Sequence, residues 1–243
     1  MNPQELLRAG KLNEAIQSLG AEVRENPTDK KRRTFLFELL CFAGEFDRAA
    51  KHLGVLGQDG VDAETGALLY RSALAAERKR QLFFGNGAGS DGAGPTITLT
   101  GKINGRPFTT LEDADPRIGP RLEVFVAGEY LWLPFEHISS LTIEAPRYLR
   151  DLLWATGHIV AGPAAKGQEF GEILLPVLCP YSFRDASDAV KLGRTTEWRP
   201  VEGGVEAPTG QKLLVVDGED VVPFLEIREL VFDSGAVRQS APA

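Results

Sequence analysis

The sequence predicts a multidomain α and β protein. A tetratricopeptide-like α–α superhelix at the N-terminus is followed by a mostly-β C-terminal domain of α+β, barrel-like character. Three observations predict this. "AGKLNEAIQSL" (9–19) returns as "AGEFDRAAKHL" (43–53), 34 residues later, and that interval is the tetratricopeptide period. From residue 96 the texture changes to short apolar stretches punctuated by Asn-Gly, Asp-Gly and Gly/Pro turns, the pattern of strands and hairpins. The charge changes at the same place. Residues 1–84 carry 13 basic and 12 acidic side chains, and residues 85–243 carry 14 and 22, an asymmetry expected of two units with different surfaces. The expected boundaries are a helical domain over 1–84, a Gly-rich linker over 85–95, a β-rich domain over 96–234 and a disordered tail over 235–243.

In each copy of the repeat a glycine, Gly10 or Gly44, falls where two helices must reverse. Ala15 and Ala49 fall where the helices pack most closely. "NPTD" (26–29) ends one helix at Pro27 and caps the next with Thr28 or Asp29. "KKRRTFLFELLCFA" is apolar at Phe35, Leu36, Leu39, Leu40 and Phe42, a helical spacing. A third helix is expected over roughly 62–84. The first helix is short, and solenoids need about three repeats to stand alone, so the array is expected to lean on the second domain.

Stacked helical hairpins leave a concave face, and such faces hold helices or peptides of partners. The groove positions are Lys31, Arg32, Thr34, Phe35, Glu38 and Phe42 from one helix and Leu68, Arg71 and Ser72 from the next. The competing reading of the apolar ones is plain core. "KKRR" (30–33) opposes the helix macrodipole, which favours anions at an N-terminus. Either an acidic partner segment rewards these cations or they form a solvated patch. "RKR" (78–80) is expected near a helix end, where cations need no further reason.

"GAGSDG" (87–92) matches G-x-G-x-x-G, but a helix precedes it and Pro95 with "TITLT" follows it. A dinucleotide site needs the opposite order, so the stretch reads as a linker. Beyond it, hairpins are expected around Asn104–Gly105, at 127–129, between "HIVAG" and "EILLPVL", and at Asp217–Gly218. Short helices are expected at 147–153 and 185–192. A second echo lies here. "LPFEHISSLTI" (133–143) and "VPFLEIRELVF" (222–232) match at Pro134/Pro223, Phe135/Phe224, Ile138/Ile227, Leu141/Leu230 and Ile143/Phe232. Each predicts a strand, a Pro-started turn and a further strand, a way of closing a small barrel.

The net charge of −7 weighs against nucleic acid, whose phosphates would repel the chain. No apolar run reaches the length of a membrane span, and "MNPQELLRAGK" lacks the apolar core of a signal peptide. Cys41 and Cys179 sit among apolar residues and form no C-x-x-C pair, so buried thiols in a reduced cytoplasmic protein are expected. His52, His137 and His158 form no metal motif. "LEDADP" (111–116) clusters Glu112, Asp113 and Asp115, and carboxylates before a proline predict a solvated turn, with an acid–base or metal role as the hydrolase alternative. Trp132, Trp154 and Trp198 are expected in the core. No catalytic set, metal or cofactor is expected.

Three stretches, "LWLPFEHISSLTIEAPRYLRDLLWATGHIV", "GEILLPVLCPYSF" and "LGRTTEWRP", together with the helical N-terminus, resemble the ImpE family, also called SciE or TagJ. These are accessory proteins of bacterial type VI secretion, and the resemblance runs from about Leu6 to Phe232. It implies a non-enzymatic cytoplasmic adaptor. It implies as partners the N-terminal helix of the small contractile-sheath subunit and the AAA+ ATPase that disassembles contracted sheath. It transfers no residue-level binding motif. The rival is a peptide-binding scaffold for another secretion or assembly component.

Overall fold

The computed structural model describes residues 1–56, 61–87, 97–165, 170–201, 204–233 and 238–239. Five helices come first: α1 Pro3–Arg8, α2 Leu12–Glu25, α3 Lys30–Phe42, α4 Phe46–Leu56 and α5 Val61–Gly85. Local chemistry starts them. Asn2 and Glu5 exchange side chain-to-backbone hydrogen bonds as a capping box before Pro3, and the Asp29 carboxylate accepts from the Arg32 N–H at α3. α2 has no side-chain cap of its own. Its Leu12 N–H donates to the Asp188 carboxylate 2.8 Å away, in the β-rich half.

The repeat glycines do what their positions predict. Gly10 and Gly44 turn the α1–α2 and α3–α4 hairpins with φ of +76° and +70°, values that side chains with a Cβ resist. At Gly44 there is a second reason. A Cβ there would lie 2.1 Å from the Phe183 ring, so the glycine also lets the β-rich half close against the hairpin.

The strands are β1 Ile97–Thr98, β2 Gly101–Ile103, β3 Arg106–Phe108, β4 Leu111–Asp113, β5 Arg121–Val126, β6 Glu129–Pro134, β7 Ile138–Ile143, β8 Trp154–Ala161 and β9 Glu172–Pro176. After the short helix α6 Asp188–Lys191 come β10 Thr196–Pro200, β11 Glu206–Gly210, β12 Leu213–Val216, β13 Asp220–Pro223, β14 Glu229–Phe232 and β15 Arg238–Gln239. All described pairings are antiparallel. The main sheet runs β3-β2-β14-β7-β8-β9-β5-β6, and a second runs β13-β12-β4. Left-handed residues at Asn104–Gly105, Ala127–Gly128 and Asp217–Gly218 make the tight hairpin turns the sequence predicts.

The echo is a structural repeat. β6 and β13 each lead through a proline into a single 3-10 turn and then into β7 and β14. Leu141 and Leu230, equivalent in the echo, face each other as a pair between β7 and β14, with Ser140 opposite Val231 and Thr142 opposite Glu229. A pseudo-two-fold axis therefore passes through that pair. It relates β8 to β2, β9 to the β3–β4 stretch, β5 to β12 and β6 to β13. Read through the short break at Thr109–Thr110, the order is β6-β5-β9-β8-β7-β14-β2-β3/β4-β12-β13, with matching halves.

Several expectations are corrected. The barrel-like closure is not made by hydrogen bonds among the described residues, because β6 and β13 end the run without pairing with each other. Within the expected disordered tail, Arg238–Gln239 pairs with β1. The stretch 147–153 supplies only a 3-10 turn, Leu149–Leu152, and 185–192 supplies the four-residue α6. Trp154 is buried and Trp132 half-buried, but Trp198 is 45% exposed, because the β10–β11 ribbon on which it sits pairs with no other described strand. Most of "GAGSDG" lies outside the described residues.

The core is shared between the halves. Buried residues of α2, α3 and α4 and Ala73, Leu74 and Ala76 of α5 pack in one cluster with Phe125, Leu153, Trp154 and Leu192. The echo residues Phe135, Ile138, Leu141, Phe224, Ile227 and Leu230 centre the other cluster, inside the β-rich half. Both cysteines are free and buried. Among the described residues no helix is long and apolar enough to cross a membrane.

Candidate functional site

α5 carries the geometry that matters most, because it faces helices on one side and the β5–β6 hairpin on the other. Toward the sheet it buries Arg80, whose side chain is only 2% exposed. The guanidinium donates to both oxygens of Glu123 on β5, at 2.7 and 2.8 Å, and to the Leu178 carbonyl at 2.9 Å. Glu123 also accepts from Tyr130 Oη at 2.7 Å and pairs with Lys212 at 2.6 Å. Lys212 in turn pairs with Asp113 of β4, and Asp115 pairs with Arg117. One buried chain of charges thus links α5, β5, β4 and the start of β12.

Burial alone would push the Glu123 carboxyl up, but the charges of Arg80 and Lys212 hold it at about 2. For Asp113 burial wins over Lys212, and its carboxyl is pushed up to about 6. The expectation of a solvated acidic turn is therefore wrong. Asp113 and Asp115 are buried and committed to cations, a poor arrangement for binding a metal or activating water. Among the described residues no cluster of three or more potential ligands could hold a metal. Sequence reasoning also missed Arg80. "RKR" reads as exposed cations, yet α5 continues five residues beyond it. The Arg80 partner, Glu123, stands at a strand position that alternation assigns to solvent.

The expected groove residues separate. Phe42 is 1% exposed, within the shared core, and does not line an open groove. Glu38 is buried too. Tyr70 Oη on α5 donates to it at 3.4 Å and receives a hydrogen bond from Arg150 at 3.1 Å, and burial pushes the Glu38 carboxyl up to about 7. Ser72 lies against the turn at Gly128. Thr34 and Phe35 are half-buried, while Lys31 and Arg71 are exposed and Leu68 is 59% exposed.

The "KKRR" cations have intramolecular rewards. Arg32 pairs with Glu22 of α2 at 2.9 Å and with Asp29. Arg33 donates to the Pro27 carbonyl and lies 3.3 Å from His52 of α4. These contacts clamp α3 to both neighbours and offset the unfavourable macrodipole. Next to exposed Leu68 and Leu69, a cleft of about 210 Å³ opens between α5 and β8, lined by Leu69, Tyr70, Ala73, Arg150, Trp154 and Leu174 among others.

Residues 105–231 match the model of the ImpE protein family. The type VI secretion system accessory component TagJ of Pseudomonas aeruginosa is 34% identical, over 96% of this chain and 92% of that protein. The chain belongs to the ImpE family. A crystal structure of a Vibrio parahaemolyticus protein superposes with a TM-score of 0.80 at 22% identity, covering 96% of this chain and 98% of that one. This ImpE chain therefore shares its whole architecture, helices and sheet together, with a protein solved by crystallography. The ImpE match covers the strands of both pseudo-symmetric halves, from the β2–β3 turn into β14.

Proposed function

We propose that this ImpE-family chain is a non-catalytic accessory adaptor of a type VI secretion system, working in the bacterial cytoplasm. The observation that carries the reading is the 34% identity to TagJ along nearly the full length of both proteins. In this reading the helical half is a tetratricopeptide-like array that receives the N-terminal helix of the small sheath subunit. The β-rich half is its rigid base and brings the AAA+ sheath-disassembly ATPase into the same assembly. The apolar face of the incoming helix lies along α5, over Leu68 and Leu69 and into the cleft lined by Tyr70, Ala73 and Leu174. In this reading the exposed cations Lys31 and Arg71 serve as its rim, where charge governs on-rate and salt dependence more than off-rate. Phe35 and Thr34 contribute half-buried surface, Glu38, Phe42 and Ser72 support the face from within, and Arg32 holds α3 to α2 through Glu22.

The test is a titration of the full chain with the N-terminal peptide of the small sheath subunit at two ionic strengths. Saturable binding is expected, weakened by Leu68→Asp at both salts and by Lys31→Glu with Arg71→Glu chiefly at low salt. Circular dichroism checks that each variant is folded. Absence of binding by the folded wild-type chain refutes the sheath-helix reading. Wild-type affinity in the Leu68→Asp variant moves the site away from α5.

A further inference from the structure

The pseudo-two-fold pairs two faces that have very different neighbours. On the first hairpin, β5–β6, the outward positions are Arg121, Glu123, Trp132 and Pro134. α5 lies across them. Arg80 takes Glu123, the Phe83 ring meets Trp132 at 4.8 Å, and Phe84 lies 5.9 Å from it. Aligned by their registers, Arg121↔Pro134 with Leu213↔Pro223 and Glu123↔Trp132 with Val215↔Val221, the equivalent outward positions of β12–β13 are Leu213, Val215, Val221 and Pro223. All four are apolar, and none is buried. Val221, the counterpart of Trp132, is 51% exposed. The inward positions match as expected, with Leu122 and Val124 buried on one side and Leu214 and Val216 on the other.

The rim of the second face is acidic. Glu112 stands opposite Val215 on β4, and Glu219 ends the turn that leads into β13. Glu219 is exposed, and neither carboxylate makes an ion pair with a described residue. The first face takes a helix carrying a cation aimed at Glu123. In the second, Val215 replaces that glutamate, so a helix lying there meets only apolar side chains at its centre and carboxylates at its edge. We propose that the outward face of the β4–β12–β13 sheet is a docking face for a partner protein's amphipathic helix, whose apolar stripe is flanked by lysines or arginines. It occupies the position that α5 holds on the pseudo-symmetric hairpin. This face lies at the opposite end of the strand order from α5, so it stands or falls independently of the sheath-helix reading.

The test titrates the full chain with two designed helical peptides that share one leucine stripe, one flanked by lysines and the other by glutamates. The lysine-flanked peptide is expected to bind saturably and the glutamate-flanked one about tenfold more weakly. Val221→Asp is expected to weaken the lysine-flanked peptide about tenfold, the size of losing one buried valine contact. Val160→Asp, at an exposed valine elsewhere in the sheet, should leave binding unchanged. Glu219→Lys, confined to an exposed turn residue, should narrow the preference for the lysine-flanked peptide even if Val221→Asp proves unstable. The proposal is overturned by failure of the lysine-flanked peptide to bind, by equal binding of both peptides, or by equal effects of Val221→Asp and Val160→Asp. Sedimentation showing a dimer that Val221→Asp dissociates also overturns it, because the occupant is then a second copy of the chain.

Discussion

Replacing Arg80 by Met keeps most of the side-chain volume on α5 and removes the charge with its hydrogen bonds. Glu123, with its side chain 0% exposed, then loses two short hydrogen bonds, and the Leu178 carbonyl loses its 2.9 Å donor. Lys212 and Tyr130 remain beside Glu123 but cannot replace a bidentate guanidinium. Removing one partner of a buried ion pair costs about 3–5 kcal/mol, because the other charge is left without compensation. We expect a loss in that range by denaturant unfolding at pH 7.5, read as a lower midpoint with an unchanged slope. The partner test is Glu123→Gln, which removes the stranded charge. The double variant should lose clearly less than the two single losses added together, the mark of direct coupling. The loss should also shrink toward pH 5. In wild type Glu123 is held at about 2, so it is ionised across that range and its stabilising contribution, present above the unfolded carboxylate pKa, is constant. Without Arg80 its pKa climbs, and protonation at lower pH relieves the buried charge. A loss below about 1 kcal/mol, or strict additivity with Glu123→Gln, refutes the view that this pair joins the two halves.

Glu38 predicts a pH dependence of opposite sign to that of Glu123 in wild type. Its folded pKa of about 7 stands above the usual carboxylate value because of burial, so the folded state holds the extra proton between about 4.5 and 7. Its contribution is therefore favourable at low pH and is lost as pH rises through that window, by about 3 kcal/mol at most. The difference in stability between wild type and Glu38→Gln, measured by urea unfolding from pH 5 to 8, should fall with rising pH, and a flat difference contradicts the assignment. Gly44→Ala should destabilise by at least about 1–2 kcal/mol from the left-handed backbone alone, and more from the clash with Phe183. Phe183→Ala should recover part of the clash, which thermal unfolding of the three variants would reveal. The fragment 1–87 should show no cooperative transition of its own, because its core is completed by Phe125, Leu153, Trp154 and Leu192. A fragment as stable as the full chain by circular dichroism would contradict this.

Local and periodic features were legible without the structure. The 34-residue repeat placed the turns at Gly10 and Gly44 because only glycine enters φ near +70° without strain. The turn dipeptides marked the hairpins, and the Pro-Phe echo marked both strand–turn–strand units, because each is a short-range conformational preference carried by adjacent residues. What lay beyond reach is what the chain does across long separations. The acidic run at 111–115 is indistinguishable from a solvated turn until Lys212, about a hundred residues away, is brought to Asp113. Arg80 and Glu123 each look exposed, since a burial pattern marks charges as outside and cannot register that two of them satisfy one another. Helical phase alone assigns the groove positions, and phase cannot say that the β-rich half covers Ser72 or that Phe42 turns into a shared core. The amino-acid sequence by itself determined which segments are helices, strands and tight turns, because those follow from periodicity and backbone preference. Only the tertiary structure decided which charges are buried, which face α5 covers and which equivalent face stays open, because desolvation and pairing are properties of the packed assembly and of no segment alone.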